Sequence, residues 1–478
     1  MTKFSQKLNK IIFFTFIFFV SVSANAQVDS YNISQQIENL IYRANPNVNV
    51  GIEVMSLNTG TLVYERNAYQ LLSPASSLKT FTAAAALSSL GPDYRFQTKI
   101  LSSGFNLQQG VLTNNLYVYF DGDPLLKRDN LDELVEVLEH KGVRSIRGDI
   151  YIDDTIFDQS GFGPGWYWDE RNYCYAAPTS AITIDKNCFG FNIVSPRKIN
   201  KIANLTNNSE PDGVSLISSI IGKYGRNGDC KIKLNGMPDN SYYLNGCMRP
   251  KSRPIYMTAT IQNPRLFAKS VLEDLLRKHH IKLLGEVKFG EVPAQGVSPI
   301  AIYYSNPLGS YIKIMLKKSD NVIANALYKK LGNTYFRSIG TWESGAKAVA
   351  GVLHNSGVPF NKIRIVDGSG LSRDNLVSPY SLAALLYYVY GNPGLREQFL
   401  NSLPIGGIDG HLEHRMHNIE RRVIAKTGTE KGIVSLSGYI YTYNNQVLVF
   451  SIIVNNFSGN VHRYQKLEDD ICSVFAYL

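Results

Sequence analysis

Residues 73–91 read SPASSLKTFTAAAALSSLG, and the start of this stretch decides how the rest of the chain is to be read. Ser76-Ser77-Leu78-Lys79 is an S-x-x-K at the first turn of a helix predicted over 78–90. The apolar stripe of that helix takes in Leu78, Phe81, Ala84, Ala85 and Leu87, and Gly91-Pro92 stops it. Residues three apart on a helix are neighbours, with Cβ atoms about 5–6 Å apart, so a serine hydroxyl and a lysine amine can touch. The free N–H groups of a helix N-terminus also favour a developing oxyanion. A lysine acting as a base near neutral pH needs its pKa lowered from about 10.4 by burial or nearby positive charge. The pattern alone is weak, because Ser195-Pro196-Arg197-Lys198 and Ser310-Tyr311-Ile312-Lys313 fit it too. Only Ser76 opens an Ala-rich helix.

Two more elements follow along the chain. Ser319-Asp320-Asn321 is an S-x-N at a loop-to-helix junction before a helix expected to end at Gly332, and its bland reading is an ordinary N-cap. Lys426-Thr427-Gly428-Thr429 contains the single K-T-G of the chain and precedes a strand pair over 433–443 and 447–454, joined at Asn444-Asn445. Here the glycine would let a substrate approach a strand edge, the lysine and hydroxyls suit a carboxylate, and an edge N–H can serve an oxyanion.

The chain has 478 residues, 44% hydrophobic and 18% charged, far from the composition of a disordered polymer and long enough for about three domains. Its formal charge is +10. Lys3, Lys7 and Lys10, an apolar run over 11–22 and Ala24-Asn25-Ala26 read as a cleaved export signal over 1–26. The rival is an uncleaved anchor, but twelve apolar residues cover only about 18 Å of a hydrocarbon core about 30 Å thick. No other segment is apolar for the ~18 residues of a spanning helix, so a soluble mature protein is expected.

Export permits disulfides. Of five cysteines, Cys174 and Cys188 form one close pair and Cys230 and Cys247 another, with Cys472 left in an apolar tail. Each pair could close a loop; four reduced cysteines are the alternative, and the connectivity stays open. No C-x-x-C occurs, and His411, His414 and His417 are spaced to spread around a helix, so no metal is expected.

No tandem repeat or linker marks a boundary. Residues 52–65 read as a β-hairpin around Asn58-Thr59-Gly60. Between about 96 and 299 many short strand-like runs appear (LYVYF, GDIYID, AITID, PIYMTATI, IKLLGEVKFG), with two helices near 131–140 and 264–279. Helical periodicity returns at 308–318 and 319–331. The expectation is one domain closed from both ends, 27–95 with 300–478, around an inserted region of two small, mostly-β subdomains at 96–299.

S-x-x-K on a helix, S-x-N at a loop and K-T-G on a strand, in that order, are the signature set of penicillin-recognising serine acyltransferases. Ser76 and Ser319 are 243 residues apart, more than a β-lactamase has room for. That gap, LKKSDN (316–321), DGSGLSR (367–373), GWYWDERNYCYAAPTSAITIDKNCFG (165–190) and the Cys230/Cys247 pair resemble the class C low-molecular-mass penicillin-binding proteins. These are the D-alanyl-D-alanine carboxypeptidases/endopeptidases of the penicillin-binding protein 4 type, peptidase family S13. The resemblance spans nearly all the mature chain.

It implies an α/β (α+β) fold, a β-lactamase/transpeptidase-like domain whose antiparallel sheet is flanked by helices. It also implies a periplasmic serine enzyme without metal or cofactor, acting on peptidoglycan peptides and acylated by β-lactams. Ser76 would be the nucleophile, Lys79 its base and Ser319 the proton relay, with Asn321 holding the substrate amide and Lys426 supporting the proton network. Thr427 and Thr429 would take the terminal carboxylate beside Gly428, and the N–H groups of Ser76 and Thr429 would form the oxyanion hole. Asp169 and Glu170 are candidates to meet the amine of a diaminopimelate stem, a solvated loop being the alternative. Two departures leave substrate preference open: Asn325, where many relatives carry an acid, and Glu430 after K-T-G-T. Export removes nucleic acid as a partner; basic excess over 198–226 and 313–318 would suit a polyanionic cell-wall surface, a solvated face being the alternative, and peripheral membrane association is a separate open question.

Three rivals stand against the hydrolase. The large insertion argues against a β-lactamase. A non-catalytic binding descendant would be expected to have lost Ser76, Lys79 or Lys426. A transpeptidase, passing the acyl group to an amine, is compatible with the same residues.

Overall fold

A computed structural model describes residues 32–206, 213–224 and 230–478, so the expected export signal lies outside the described residues. A five-stranded antiparallel sheet runs Val423–Glu430, Ile433–Tyr441, Val447–Asn455, Asn49–Ser56, Leu62–Arg66. The hairpin read around Asn58-Thr59-Gly60 is its last pair, and the pair joined at Asn444-Asn445 lies at its centre. Val423–Glu430 is the edge strand; residues 404–406 bond to its start at Val423–Ala425, and no strand pairs with the K-T-G part of that edge among the described residues.

Helices cover both faces of this sheet. On one, Val461–Ala476 packs over Ile52, Val434, Leu436 and Ile452. On the other lies the Ala-rich helix Lys79–Leu90, entered through a single 3-10 turn, Ala75–Leu78. Its sequence shows a stripe, yet Lys79 through Leu87 are all buried, because other helices surround it. Ala83 to Ala86 let those neighbours approach closely. Gly91 ends the helix as expected, at φ 80°.

Two sequence expectations fail locally. The helix after S-x-N is Asn321–Phe336 and runs through Gly332. That glycine is a contact point: a Cβ there would stand 2.8 Å from the Gly345 nitrogen of the helix Trp342–Val352. The run AITID is no strand; it leads into a 3-10 turn, Asp185–Asn187, with Lys186 at φ 61°.

The chain leaves this layer in the strand Gln97–Ser102 and returns in Ser298–Tyr304, and the two pair antiparallel. Between them lie a mixed five-stranded sheet, three smaller sheets and the helices Arg128–His140 and Pro264–Lys278, around a second core. Both disulfides are here, Cys174–Cys188 and Cys230–Cys247, and Cys472 is buried and free.

Buried ion pairs fasten this region to Asn321–Phe336. Lys329 Nζ lies 2.6 Å from Asp158 and Lys330 Nζ 2.6 Å from Asp121. Asp123 accepts from the Tyr311 hydroxyl at 2.7 Å. Such pairs fix one arrangement more than they add stability, since each charge has lost its water.

Candidate active site

Ser76 sits in the 3-10 turn, not on the α-helix proper, and Ala75 before it is held at φ 45°. A non-glycine residue there is strained, and its carbonyl occupies the space a Cβ on Gly370 would need. Lys79, one turn later, points back. Its Nζ lies 2.8 Å from Ser76 Oγ, 2.7 Å from Asn321 Oδ1 and 2.7 Å from the Ser369 carbonyl. The side chain is fully buried.

Ser319 takes φ 55°, which turns the chain sharply between the helices Leu308–Lys317 and Asn321–Phe336. Asp320 caps the second helix, accepting from Ile323 N at 3.0 Å, and is itself held by Lys186 at 2.6 Å. The capping reading is therefore correct for Asp320, and the turn frees the residues on either side. Ser319 Oγ lies 3.0 Å from Lys426 Nζ; Asn321 accepts from Lys79 at Oδ1 and donates through Nδ2 to the Tyr175 carbonyl at 2.8 Å.

Lys426 also donates to the Thr427 carbonyl at 2.7 Å. On the same strand Thr427 is buried and Thr429 exposed. The structure gives the glycine a use within the fold. A Cβ on Gly428 would stand 2.7 Å from the Pro74 carbonyl and 2.9 Å from the Ser76 nitrogen, so it makes room for the serine's own turn.

Burial sets the electrostatics. It lowers Lys79 to about 8 against the opposing pull of Asp367, Asp320 and Glu430. Burial and the charge of Lys79 together push Lys426 well below its ordinary value. The buried charge of Lys79 thus makes Lys426 easier to deprotonate.

The stretch DGSGLSR (367–373) forms the turn beside Lys79. Asp367 is fully buried and accepts from the N–H groups of Gly370 and Ser372 at 2.8 Å each and from Trp166 Nε1 at 2.9 Å. Asn325, the departure after S-x-N, accepts from Gly368 N at 3.1 Å. These bonds shape the turn whose Ser369 carbonyl meets Lys79. A buried acid beside a lone tryptophan donor has no local sequence pattern; only the fold joins residues 166 and 367.

Of the remaining candidates, Asp169 is exposed and Glu170 half-buried, its carboxyl raised chiefly by burial. Glu430 is raised to about 7 by burial and by the nearby Glu170, with Arg373 opposing. Arg373 donates to the Lys431 carbonyl at 2.6 Å, close to the Tyr167 ring. Of the other serines that fit S-x-x-K, Ser195 is bonded to Arg249 O and Ser310 to Pro307 O, away from this site. Among the described residues no cluster of His, Cys, Asp or Glu gathers as a metal site.

The D-Ala-D-Ala carboxypeptidase 3 (S13) family model matches residues 33–471. The chain belongs to this family. It is a serine-type peptidase of the D-Ala-D-Ala carboxypeptidase class. It is 30% identical over 415 residues to the D-alanyl-D-alanine carboxypeptidase DacB of Haemophilus influenzae, covering 86% of each chain. A D-alanyl-D-alanine carboxypeptidase of an Actinomadura species is 31% identical over 423 residues, 86% of this chain and 78% of that one. The crystal structure of penicillin binding protein 4 from Haemophilus influenzae superposes with a TM-score of 0.86 at 29% identity, covering 92% of this chain and 99% of that one. The same protein complexed with a β-lactam gives 0.80 at 28%, covering 91% and 97%. The fold is thus the β-lactamase-like one expected.

Proposed function

We propose that this family member removes terminal D-alanine from peptidoglycan stem peptides and also cuts D-Ala-meso-diaminopimelate cross-links, through an acyl-enzyme on Ser76. The observation that supports this best is the Lys79 amine, buried, depressed toward neutrality and 2.8 Å from Ser76 Oγ. An amine so placed accepts the hydroxyl proton as Oγ attacks the carbonyl of the penultimate D-alanine. The tetrahedral oxyanion meets the backbone N–H groups of Ser76 and Thr429. Collapse breaks the C–N bond, and Ser319, backed by Lys426, passes a proton to the leaving amine. Asn321 orients the substrate amide while Thr427 and Thr429 take the terminal carboxylate beside Gly428. Water then attacks the ester and returns Ser76 to its free state.

A β-lactam acylates the same serine and stalls, because its leaving group stays tethered; the β-lactam complex of the Haemophilus influenzae protein favours this reading. Glu170, half-buried beside Arg373 and Glu430, is the better placed of the two acids for a diaminopimelate amine, with Asp169 farther into solvent. The expected compartment is the periplasm.

The deciding experiment is mass spectrometry of products from the mature chain given a pentapeptide monomer and a cross-linked dimer, with Ser76→Ala as control. Loss of D-alanine and cleavage of the dimer, both absent in the control, establish the full reading. Loss of D-alanine alone restricts it to a carboxypeptidase, and transfer to an added amine would make it a transpeptidase.

A further inference from the structure

Residues 195–202, 222–224 and 248–253 meet at one end of the three-stranded sheet formed by Ser215–Gly222, Ser241–Met248 and Lys233–Gly236. Backbone bonds knit the three segments together. Gly222 N donates to Lys201 O at 2.8 Å, Lys223 N to Met248 O at 3.0 Å and Lys251 N to Pro196 O at 3.1 Å. This end is cationic: Arg197, Lys198, Lys201, Lys223, Arg249 and Lys251 are all exposed, and the three segments contain no Asp or Glu. No ion pair joins these six to an acidic side chain among the described residues.

Apolar side chains stand between the charges. Ile199 is 49% exposed, Ile202 58% and Tyr224 58%, with the Arg249 guanidinium 5.9 Å from the Tyr224 ring. Ile202 bridges to Ile221, also exposed, and Ile217 lies opposite the exposed Tyr243. The apolar strip therefore continues along the outer face of the sheet.

Cations alone would suit any polyanion. Isoleucine and tyrosine projecting among them suit a surface whose anionic groups lie directly above hydrocarbon, where Lys and Arg reach phosphate and the apolar tips enter the headgroup boundary. We infer that this end of the inserted region docks on an anionic phospholipid bilayer. The inference is independent of the hydrolytic reading, since it uses no residue of the active site.

The test is sedimentation of the full mature chain with vesicles of mixed phosphatidylglycerol and phosphatidylcholine against vesicles of phosphatidylcholine alone. Binding to the anionic vesicles only is expected, weakened as salt shortens the screening length. Lys198→Gln with Lys201→Gln should weaken it by about fivefold per cation removed. Ile199→Ser with Tyr224→Ser keeps every charge and should still weaken it. Acylation by a fluorescent penicillin, unchanged in all variants, shows that each is folded. Equal binding to both vesicle types, or to neither, overturns the inference. So does an Ile199→Ser, Tyr224→Ser protein that binds anionic vesicles as the parent does, which would point to a polyanionic glycan instead.

Discussion

The Ser76 backbone nitrogen lies so close to Gly428 that a Cβ on the glycine would stand 2.9 Å from it. The K-T-G strand and the Ser76 turn are in contact through this one missing side chain. Gly428→Ala should push the turn off the strand edge and misplace the Ser76 N–H. Displacing one oxyanion donor costs roughly 100- to 1000-fold in rate, and overpacking destabilises by about 1–3 kcal/mol. Stopped-flow acylation by a fluorescent penicillin checks the first and thermal unfolding the second. A variant acylated at the parent rate would show that the turn can shift without harm.

The neutral fraction of Lys79 should govern acylation. With burial lowering the amine to about 8, that fraction rises about tenfold per pH unit below 8 and levels off above it. The second-order acylation rate should follow the same curve, rising with pH and reaching a plateau. Lys79→Arg, which stays protonated throughout, should lose about 100- to 10,000-fold. A rate flat from about pH 6 to 9 in the parent would remove Lys79 from the role of base.

The sequence made the outline legible because its motifs are local. Ser76 and Lys79 sit one turn apart, the hairpin residues 58–60 and 444–445 declare their turns, and Gly91 ends its helix as such residues do. Gly332 misled because a helix stop and a helix–helix contact both call for glycine, and only the neighbouring Gly345 tells them apart. AITID alternates like a strand, but its residues bend into a turn with Lys186 at φ 61°. The supports of the site were hidden for another reason. The Tyr175 and Ser369 carbonyls act through backbone, which any residue supplies, and the Trp166–Asp367 bond spans 201 positions.

That bond has a measurable consequence. Trp166 Nε1 is one of several donors to Asp367, whose turn presents the Ser369 carbonyl to Lys79. Trp166→Phe leaves a hydrogen bond to a charged acceptor unmade, a loss of about 1.5–3 kcal/mol. The plateau of the acylation profile should fall while its midpoint stays put, because the lysine remains as buried as before. A shifted midpoint with an unchanged plateau would assign Trp166 to the lysine's electrostatics instead.

The two disulfides should differ in kind. Cys174–Cys188 closes a 14-residue separation and flanks Tyr175, whose carbonyl holds Asn321. Cys230–Cys247 closes 17 residues within the small sheet of the inserted region. Each should contribute about 3 kcal/mol to stability. Replacing both cysteines of the first pair by alanine should also slow acylation, whereas the same change in the second should leave the rate alone. Equal effects on rate would mean that Tyr175 is held by its neighbours and not by the bridge.

Glu430 should make the protein lose stability as pH rises. Its carboxyl stands near 7 in the fold, chiefly through burial and then through Glu170, against 4.5 as the ordinary value. Between those two values the folded chain holds a proton that the unfolded chain has released. The contribution is therefore complete below about 4.5, declines as pH rises and is gone above about 7. At one pH unit to 1.36 kcal/mol the upper limit is about 3 kcal/mol. Glu430→Gln has no proton to lose, so its stability relative to the parent should increase from acid to neutral pH and then hold constant. Paired denaturant titrations across that range measure the difference. A parent-to-variant gap that stays level with pH would place the Glu430 carboxylate in water, and would also weaken the case that it shares a pocket with Glu170.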